Sequence, residues 1–293
     1  MQLVTFIYDR AHRLGALVRR DGRDAVVDLN RADARLPSDM IAFLSGGDTS
    51  RALAKQVLAA PPPEAVLERA SVRLAAPIPR PGKIICIGLN YRDHAAESNA
   101  PLPEFPVVFA KYANTVIGPG DAIVLPRVTE QVDYEGELGI VIGARVRDVP
   151  EDAALACVAG YLPVNDVSAR DYQMRTSQWT IGKTFDTFAP MGPALVTADE
   201  VPDPHNLDLR VTIGGEVLQD SNTRHLIFSI PQLIAYLSSV MTLDPGDVIA
   251  SGTPAGVGSA RTPKRWLRAG ETVCVEIERL GRLENPVVAS DGP

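Results

Sequence analysis

The chain is poor in cysteine, histidine and aromatic residues, with three Cys, four His and 5% aromatics in 293 residues. Cys86, Cys157 and Cys274 form neither a CxxC pair nor an even set. That excludes a disulfide framework and fits a reducing cytoplasm. Basic residues are in deficit, giving a net charge of −7 and a pI near 5.2. Such a balance argues against a nucleic-acid or anionic-membrane surface. A small anionic substrate would then need a metal or a few placed cations. No run is long and apolar enough to span a bilayer. The start, MQLVTFIYDRAHR, lacks a basic n-region and a cleavable apolar stretch, so it reads as a first strand and not a signal peptide. Common catalytic signatures are missing too: no GxSxG, no HExxH and no GxxxxGK[ST]. IICIGLNY offers one glycine where a dinucleotide site needs several.

What is present describes an ordinary globular chain, 45% hydrophobic and 22% charged, long enough for one large or two smaller domains. Prolines at 61–64 and 77–83 punctuate it, and we place a small N-terminal α/β domain at 1–72 and the main domain at 73–293. In the first, LVTFIYD, GALVRRD and DAVVDLN read as strands. PSDMIAFLSGG and TSRALAKQVLAA read as helices, the second capped by Thr49 or Ser50. A proline-rich connection is stiff, so this unit is expected to be packed on the rest. In the main domain KIICIGLN is a buried strand, LDLRVTIGGEVLQ a hairpin about Gly214-Gly215, and GETVCVEIERLG a strand with Val273, Val275 and Ile277 on one face. IPQLIAYLSSV is an amphipathic helix capped by Ser229, and ALACVAGY is read as a helix starting near Pro150. Strands outnumber helices without alternating regularly with them, so the fold class is α+β and mostly β, neither TIM barrel nor Rossmann fold.

The stretch VDYEGELGIVIG carries Asp133, Glu135 and Glu137 at every second position and then turns apolar. On one strand these share a face about 7 Å apart. At an effective dielectric near 20 each pair repels by about 2 kcal/mol. Solvation would screen that on an exposed strand; a half-buried one needs a cation. Gly136 removes bulk between the glutamates, and the apolar continuation implies burial. Oxygen ligands without histidine or cysteine suit a hard cation such as Mg²⁺, or Mn²⁺ in its place. A third acid is offered by GYLPVNDVSARD, as Asp166 or Asp171, which pattern alone does not rank. His94 and Glu97 lie three apart on one helical face, either a general base with its orienting acid or a plain surface pair. His12, His205 and His225 sit among exposed-looking neighbours. Lys183, in apolar WTIGKTFDTFAPMGP, either steadies an oxyanion or extends its amine to solvent. SGTPAGVG is a glycine loop whose amides could cradle a carboxylate, or only a turn.

Together these segments resemble the fumarylacetoacetate hydrolase family. KIICIGLNYRDHAAE, VDYEGELGIVIG, GYLPVNDVSARDYQ, WTIGKTFDTFAPMGP, VLQDSNTRHLIFSIPQLIAYLS, TLDPGDVIASGTPAGVG and LENPV follow the family's order across about residues 80 to 288. The N-terminal unit and the RTPKRWLRAGE insertion resemble a FAHD2-like subgroup. The resemblance implies a mixed β-roll catalytic domain that assembles as a homodimer. It implies Mg²⁺ on Glu135, Glu137 and Asp166, with Mn²⁺ or Ca²⁺ as substitutes. It makes His94 and Glu97 a water-activating dyad on a segment that folds over the substrate, with Lys183 catalytic beside them. Arg170, Gln173 and Thr253 match substrate-holding positions. Leu89 departs from the arginine that acylpyruvases carry there, and Ser251 and Gly214 replace the commoner threonine and asparagine. The activity implied is Mg²⁺-dependent hydrolysis of a C–C bond in 2,4-diketo acids or acylpyruvates. Oxaloacetate decarboxylation, and isomerisation or decarboxylation of dioic acids, are the alternatives, and a non-enzymatic small-acid binder is the rival from another class.

Overall fold

The computed structural model describes residues 1–20 and 22–290. The N-terminal strands are β1 (Gln2–Tyr8), β2 (Ala11–Arg20), β3 (Arg23–Asp28), β4 (Val66–Glu68) and β5 (Arg73–Leu74). Then come β6 (Ile84–Gly88), β7 (Val107–Lys111), β8 (Val116–Ile117), β9 (Ile123–Leu125) and β10 (Val132–Asp133). The centre holds β11 (Gly136–Ile142), β12 (Val158–Asn165), β13 (Ser168–Ala169), β14 (Ala189–Pro190) and β15 (Leu195–Thr197). The last are β16 (Asp208–Ile213), β17 (Glu216–Asn222), β18 (Val248–Ala250), β19 (Thr272–Ile277) and β20 (Gly281–Ala289). Seven short helices connect them: α1 (Leu29–Ala32), α2 (Met40–Ser45), α3 (Gly47–Ala59), α4 (Arg92–Glu97), α5 (Glu151–Ala154), α6 (Arg170–Gln173) and α7 (Ile230–Val240). This is the mostly β, α+β architecture the sequence indicates.

Among the described residues an eleven-stranded sheet runs β4-β3-β2-β1-β15-β12-β11-β18-β6-β7, with β5 on β1. A five-stranded sheet, β17-β16-β19-β20-β9, packs on its centre. The first 72 residues are joined to the rest through the sheet itself, because β1 pairs antiparallel with β15. Lys55 of α3 adds an ion pair to Asp199 at 2.7 Å. No described helix is long and apolar enough to cross a membrane.

Strand β11 explains its own sequence. Leu138, Ile140 and Ile142 face the core shared with β16, β19 and α7, while Val141 faces a second core that reaches Leu3, Met40 and Phe43. A strand covered on both sides reads as a continuous apolar run. Gly136 is required where the five-stranded sheet comes closest, since a Cβ there would lie 2.4 Å from Val211 Cγ2. Helix α7 has the expected Ser229 cap, as a full capping box with Gln232.

Three local expectations are corrected. α3 begins at Gly47 with Gly46 as its cap, so neither Thr49 nor Ser50 caps it. ALACVAGY is helical only through Cys157 and then enters β12, because its β-branched and aromatic residues are central-strand material. VDYEGELGIVIG is not one strand: Asp133 pairs with β13 and Gly136 with Asn165 of β12, and the chain changes partner between them. The Asn165 side chain bridges the gap by accepting from Glu135 N at 3.0 Å.

Candidate active site

The site forms where β11 and β12 end beside the loop after β18. Glu135 and Glu137 flank the start of β11 and Asp166 follows β12, so the two strands deliver three carboxylates to one point. Their ligand atoms lie within 4.8 Å of one another, and all three residues are buried. Asp133 is not a member of this group, because the partner change turns it away. It accepts from Gly258 N at 2.7 Å, Ser259 N at 2.9 Å and Arg170 Nε at 2.8 Å. Asp171 lies at the rim, where it accepts from Thr129 Oγ1 and pairs with Arg175 at 3.6 Å. The geometry thus separates Asp166 from Asp171, which pattern alone did not.

Two buried lysines and the partly buried Arg170 partly neutralise the trio. Lys183 Nζ lies 2.8 Å from both Glu135 Oε2 and Asp166 Oδ2 and is 1% exposed, so its amine does not reach solvent. Lys111, which the sequence reading passed over, donates to Asp166 Oδ1 at 2.5 Å and to Val167 O at 3.0 Å. Arg170 pairs with Glu135 Oε1 at 2.5 Å and donates to Gln173 Oε1 at 3.0 Å. Its Nε donates to Asp133 and its Nη1 to Gln173, while Nη2 meets Glu135 as an ion pair without hydrogen-bond geometry. Burial alone would raise the Glu135 carboxyl, but Arg170 and Lys183 outweigh it and hold the group at about 2. Among the described residues Glu137 has no comparable ion pair. Burial first, then Asp166 and Glu135, push its carboxyl well above the usual range.

The glycine loop serves these acids directly. Gly252 N donates to Glu137 Oε2 at 2.9 Å, Gly256 N to Glu97 at 2.9 Å, and Gly258 N to Asp133. Of the two readings, cradle and turn, the structure shows a cradle, and it is filled by the protein's own carboxylates. Gly252 has φ 103° and packs so tightly that a Cβ would come within 2.8 Å of Asn90 Cβ. Asn90 is fully buried and binds Ser251 O at 2.8 Å and the backbone of Phe228, which fixes the loop to the end of β6. Thr253 donates to Gly136 O at 2.9 Å and accepts from Gln219 Nε2 at 2.8 Å, which fixes its hydroxyl at the cavity wall with one lone pair left over. Gln219 and Asn90 lie inside the quoted segments VLQDSNTRHLIFSIPQLIAYLS and KIICIGLNYRDHAAE, but an uncharged amide carries no signal of its own until its long-range partners are seen.

His94 sits on α4 with Nδ1 3.4 Å from Glu97 Oε2. It opens onto the same cavity, of about 520 Å³, as Glu135, Glu137, Arg170, Gln173, Lys183 and Thr253. Of the other histidines, His12 and His225 are exposed, and His205 Nε2 accepts from Ile230 N at the start of α7. None of the three lines this cavity.

The donor set fits a hard divalent cation. It is all oxygen, and each carboxylate oxygen bound to a cation keeps a second lone pair. Counting Asp133, four buried carboxylates face three cations, and the excess negative charge falls on Glu137. Glu135, Glu137 and Asp166 are the residues that would hold the ion.

A mostly β enzyme scaffold with a buried carboxylate centre, a histidine and a lysine in one cavity defines a narrow class of protein. The chain belongs to the fumarylacetoacetate hydrolase family: residues 83–288 match the model of the fumarylacetoacetate (FAA) hydrolase C-terminal domain. It is 47% identical over 265 residues to human oxaloacetate tautomerase FAHD2A, mitochondrial, covering 90% of this chain and 84% of the relative. The structure of 5-carboxymethyl-2-hydroxymuconate delta-isomerase from Mycobacterium smegmatis aligns with a TM-score of 0.79 and 35% identity, covering 99% of this chain and all of that one. Maleylpyruvate hydrolase from Sphingobium sp. SYK-6, in complex with manganese(II) and pyruvate, aligns at 0.82 and 32%, with the same coverage. The chain is thus an enzyme of this family, and its relatives include both isomerases and hydrolases.

Proposed function

We propose that the chain is a divalent-cation-dependent enzyme that interconverts the keto and enol forms of oxaloacetate. The observation that carries this is the buried trio Glu135, Glu137 and Asp166, sharing one cavity with His94 and Lys183. The similarity to human oxaloacetate tautomerase FAHD2A supports oxaloacetate as the substrate. Glu135, Glu137 and Asp166 would hold a divalent cation, Mg²⁺ with Mn²⁺ or Ca²⁺ as substitutes, which would supply Lewis-acid stabilisation for the charge that develops on enolisation. His94, steadied by Glu97, takes the proton from C3 of the keto form and delivers it to the 2-oxo oxygen to give the enol, and the reverse transfer ketonises it. Two of the three Lys183 N–H donors go to Glu135 and Asp166, leaving one for a substrate oxygen. Arg170, fixed by Asp133 and Gln173, holds Glu135 in place.

The test follows enol-oxaloacetate absorbance with wild type, chelator-treated protein and His94→Ala. The proposal expects metal-dependent decay that is lost in the variant; decay at the buffer rate in all three overturns it. Hydrolysis of acylpyruvates is the second reading, favoured by the His94–Glu97 contact, which suits activation of water. Release of pyruvate from acetopyruvate distinguishes it. We further infer a homodimer, supported by the exposed Val108 and Tyr112 at edge strand β7.

A further inference from the structure

Residues 261–266, the start of the insertion set apart in the sequence, have so far played no part in the site. The segment is tied down at its base. Arg265 N donates to Gly258 O at 2.9 Å, and the Arg265 guanidinium pairs with Glu271 at 2.6 Å. Leu267 is buried and its N–H binds Val132 O at 2.8 Å, one residue from Asp133. These anchors hold the Lys264 and Trp266 side chains at the wall of the main cavity.

Three cations line that cavity: Arg170, Lys183 and Lys264. The first two are engaged by carboxylates. Among the described residues Lys264 has no carboxylate partner; its amine lies 5.8 Å from the centre of the Trp266 ring. The remaining lining is largely apolar, with Trp179 edge-on to Phe109 at 5.7 Å and Leu89 and Met174 nearby. A keto acid bound at the trio directs any second carboxylate away from it. In a protein of net charge −7 that second charge needs a cation that is not already paired. Trp266 stiffens the lysine through a cation–π contact and shields it on one side.

We propose that Lys264, backed by Trp266, binds the distal carboxylate of the substrate and selects keto diacids over keto monoacids. This rests on the keto-acid reading above and adds to it the residue that sets substrate class. The test uses the Mg²⁺-supplemented full chain and titration calorimetry with three ligands. These are 2-oxoglutarate, 2-oxopentanoate, which lacks the distal carboxylate, and oxalate, which reaches only the trio. Lys264→Ala is expected to weaken 2-oxoglutarate by about tenfold, the scale of one charge-assisted hydrogen bond in a part-solvated site. The other two ligands should keep their affinities, Lys264→Glu should weaken 2-oxoglutarate further, and Lys264→Arg should restore it. The KM for oxaloacetate should rise by more than kcat falls. An unchanged 2-oxoglutarate affinity, or an equal loss for 2-oxopentanoate, overturns the proposal. Diacid preference that depends on Lys264 in a wild type unable to convert oxaloacetate supports this assignment while refuting the tautomerase reading. Failure of all three ligands to bind wild type refutes both.

Discussion

Two isosteric changes, two residues apart, should have opposite effects on the metal-free protein. Glu135 is clamped by Arg170 at 2.5 Å and Lys183 at 2.8 Å, so Glu135→Gln breaks two ion pairs at once and leaves each cation with a single acid, Asp133 or Asp166. Breaking a buried pair in this way costs about 3–5 kcal/mol. Glu137 carries the uncompensated charge, and Glu137→Gln removes it while its side-chain oxygen can still accept from Gly252 N. The metal-free Glu137→Gln protein should therefore be as stable as wild type or more so. At about 2.1 cal/mol/K of unfolding entropy per residue, 1 kcal/mol corresponds to about 1.6 °C for a chain of this length. Glu135→Gln should then lower the metal-free Tm by about 5–8 °C. The pH dependence follows from the same charge. A carboxyl whose folded pKa is raised contributes stability that is present below its ordinary value of 4.5 and lost as pH rises toward the folded pKa. The advantage of Glu137→Gln should thus open above about pH 4.5 and vanish below it. Adding Mg²⁺ at a hundred times its Kd stabilises wild type by about 2.7 kcal/mol, or about 4 °C, and should stabilise neither variant appreciably. Thermal unfolding by circular dichroism, with chelator and with metal across pH 4 to 8, checks all three arms. A Glu137→Gln protein less stable than wild type without metal, or one with a full Mg²⁺ shift, would refute the reasoning.

Other perturbations probe the supports of the site. Gln219→Leu leaves Gly136 N–H and Pro254 C=O without their partner, and should cost about 2–5 kcal/mol in denaturant unfolding. Gly136→Ala drives a methyl into Val211; overpacking of about 1–3 kcal/mol should appear as a lower Tm together with weaker metal binding. Asp133→Asn keeps the shape but weakens the hold on Arg170, and should lower Mg²⁺ affinity with little change in the far-ultraviolet spectrum.

The carboxylate trio was legible because carboxylates spaced along an otherwise apolar segment have few innocent explanations, and family order placed the third acid. Asp133 misled the spacing argument. Period-two reasoning assumes one unbroken strand, and the chain changes pairing partner between Asp133 and Gly136. Lys111 was missed because an edge-strand lysine looks like a solubilising residue until its amine is seen 2.5 Å from Asp166. The misread helix at ALACVAGY has the same origin. Small residues permit either structure, and the decision came from the β11 and β15 neighbours that flank β12 in space. Strand pairing across long sequence separations is what local pattern carries least.

The central claim is that Glu135, Glu137 and Asp166 hold the ion on which catalysis depends. Anomalous diffraction from crystals soaked in Mn²⁺ and oxalate tests it most directly. The account predicts one strong peak per chain, bonded to those three carboxylates and to oxalate, with Lys183 still in contact with Glu135. A peak elsewhere, or none at the trio under conditions that support turnover, would contradict it.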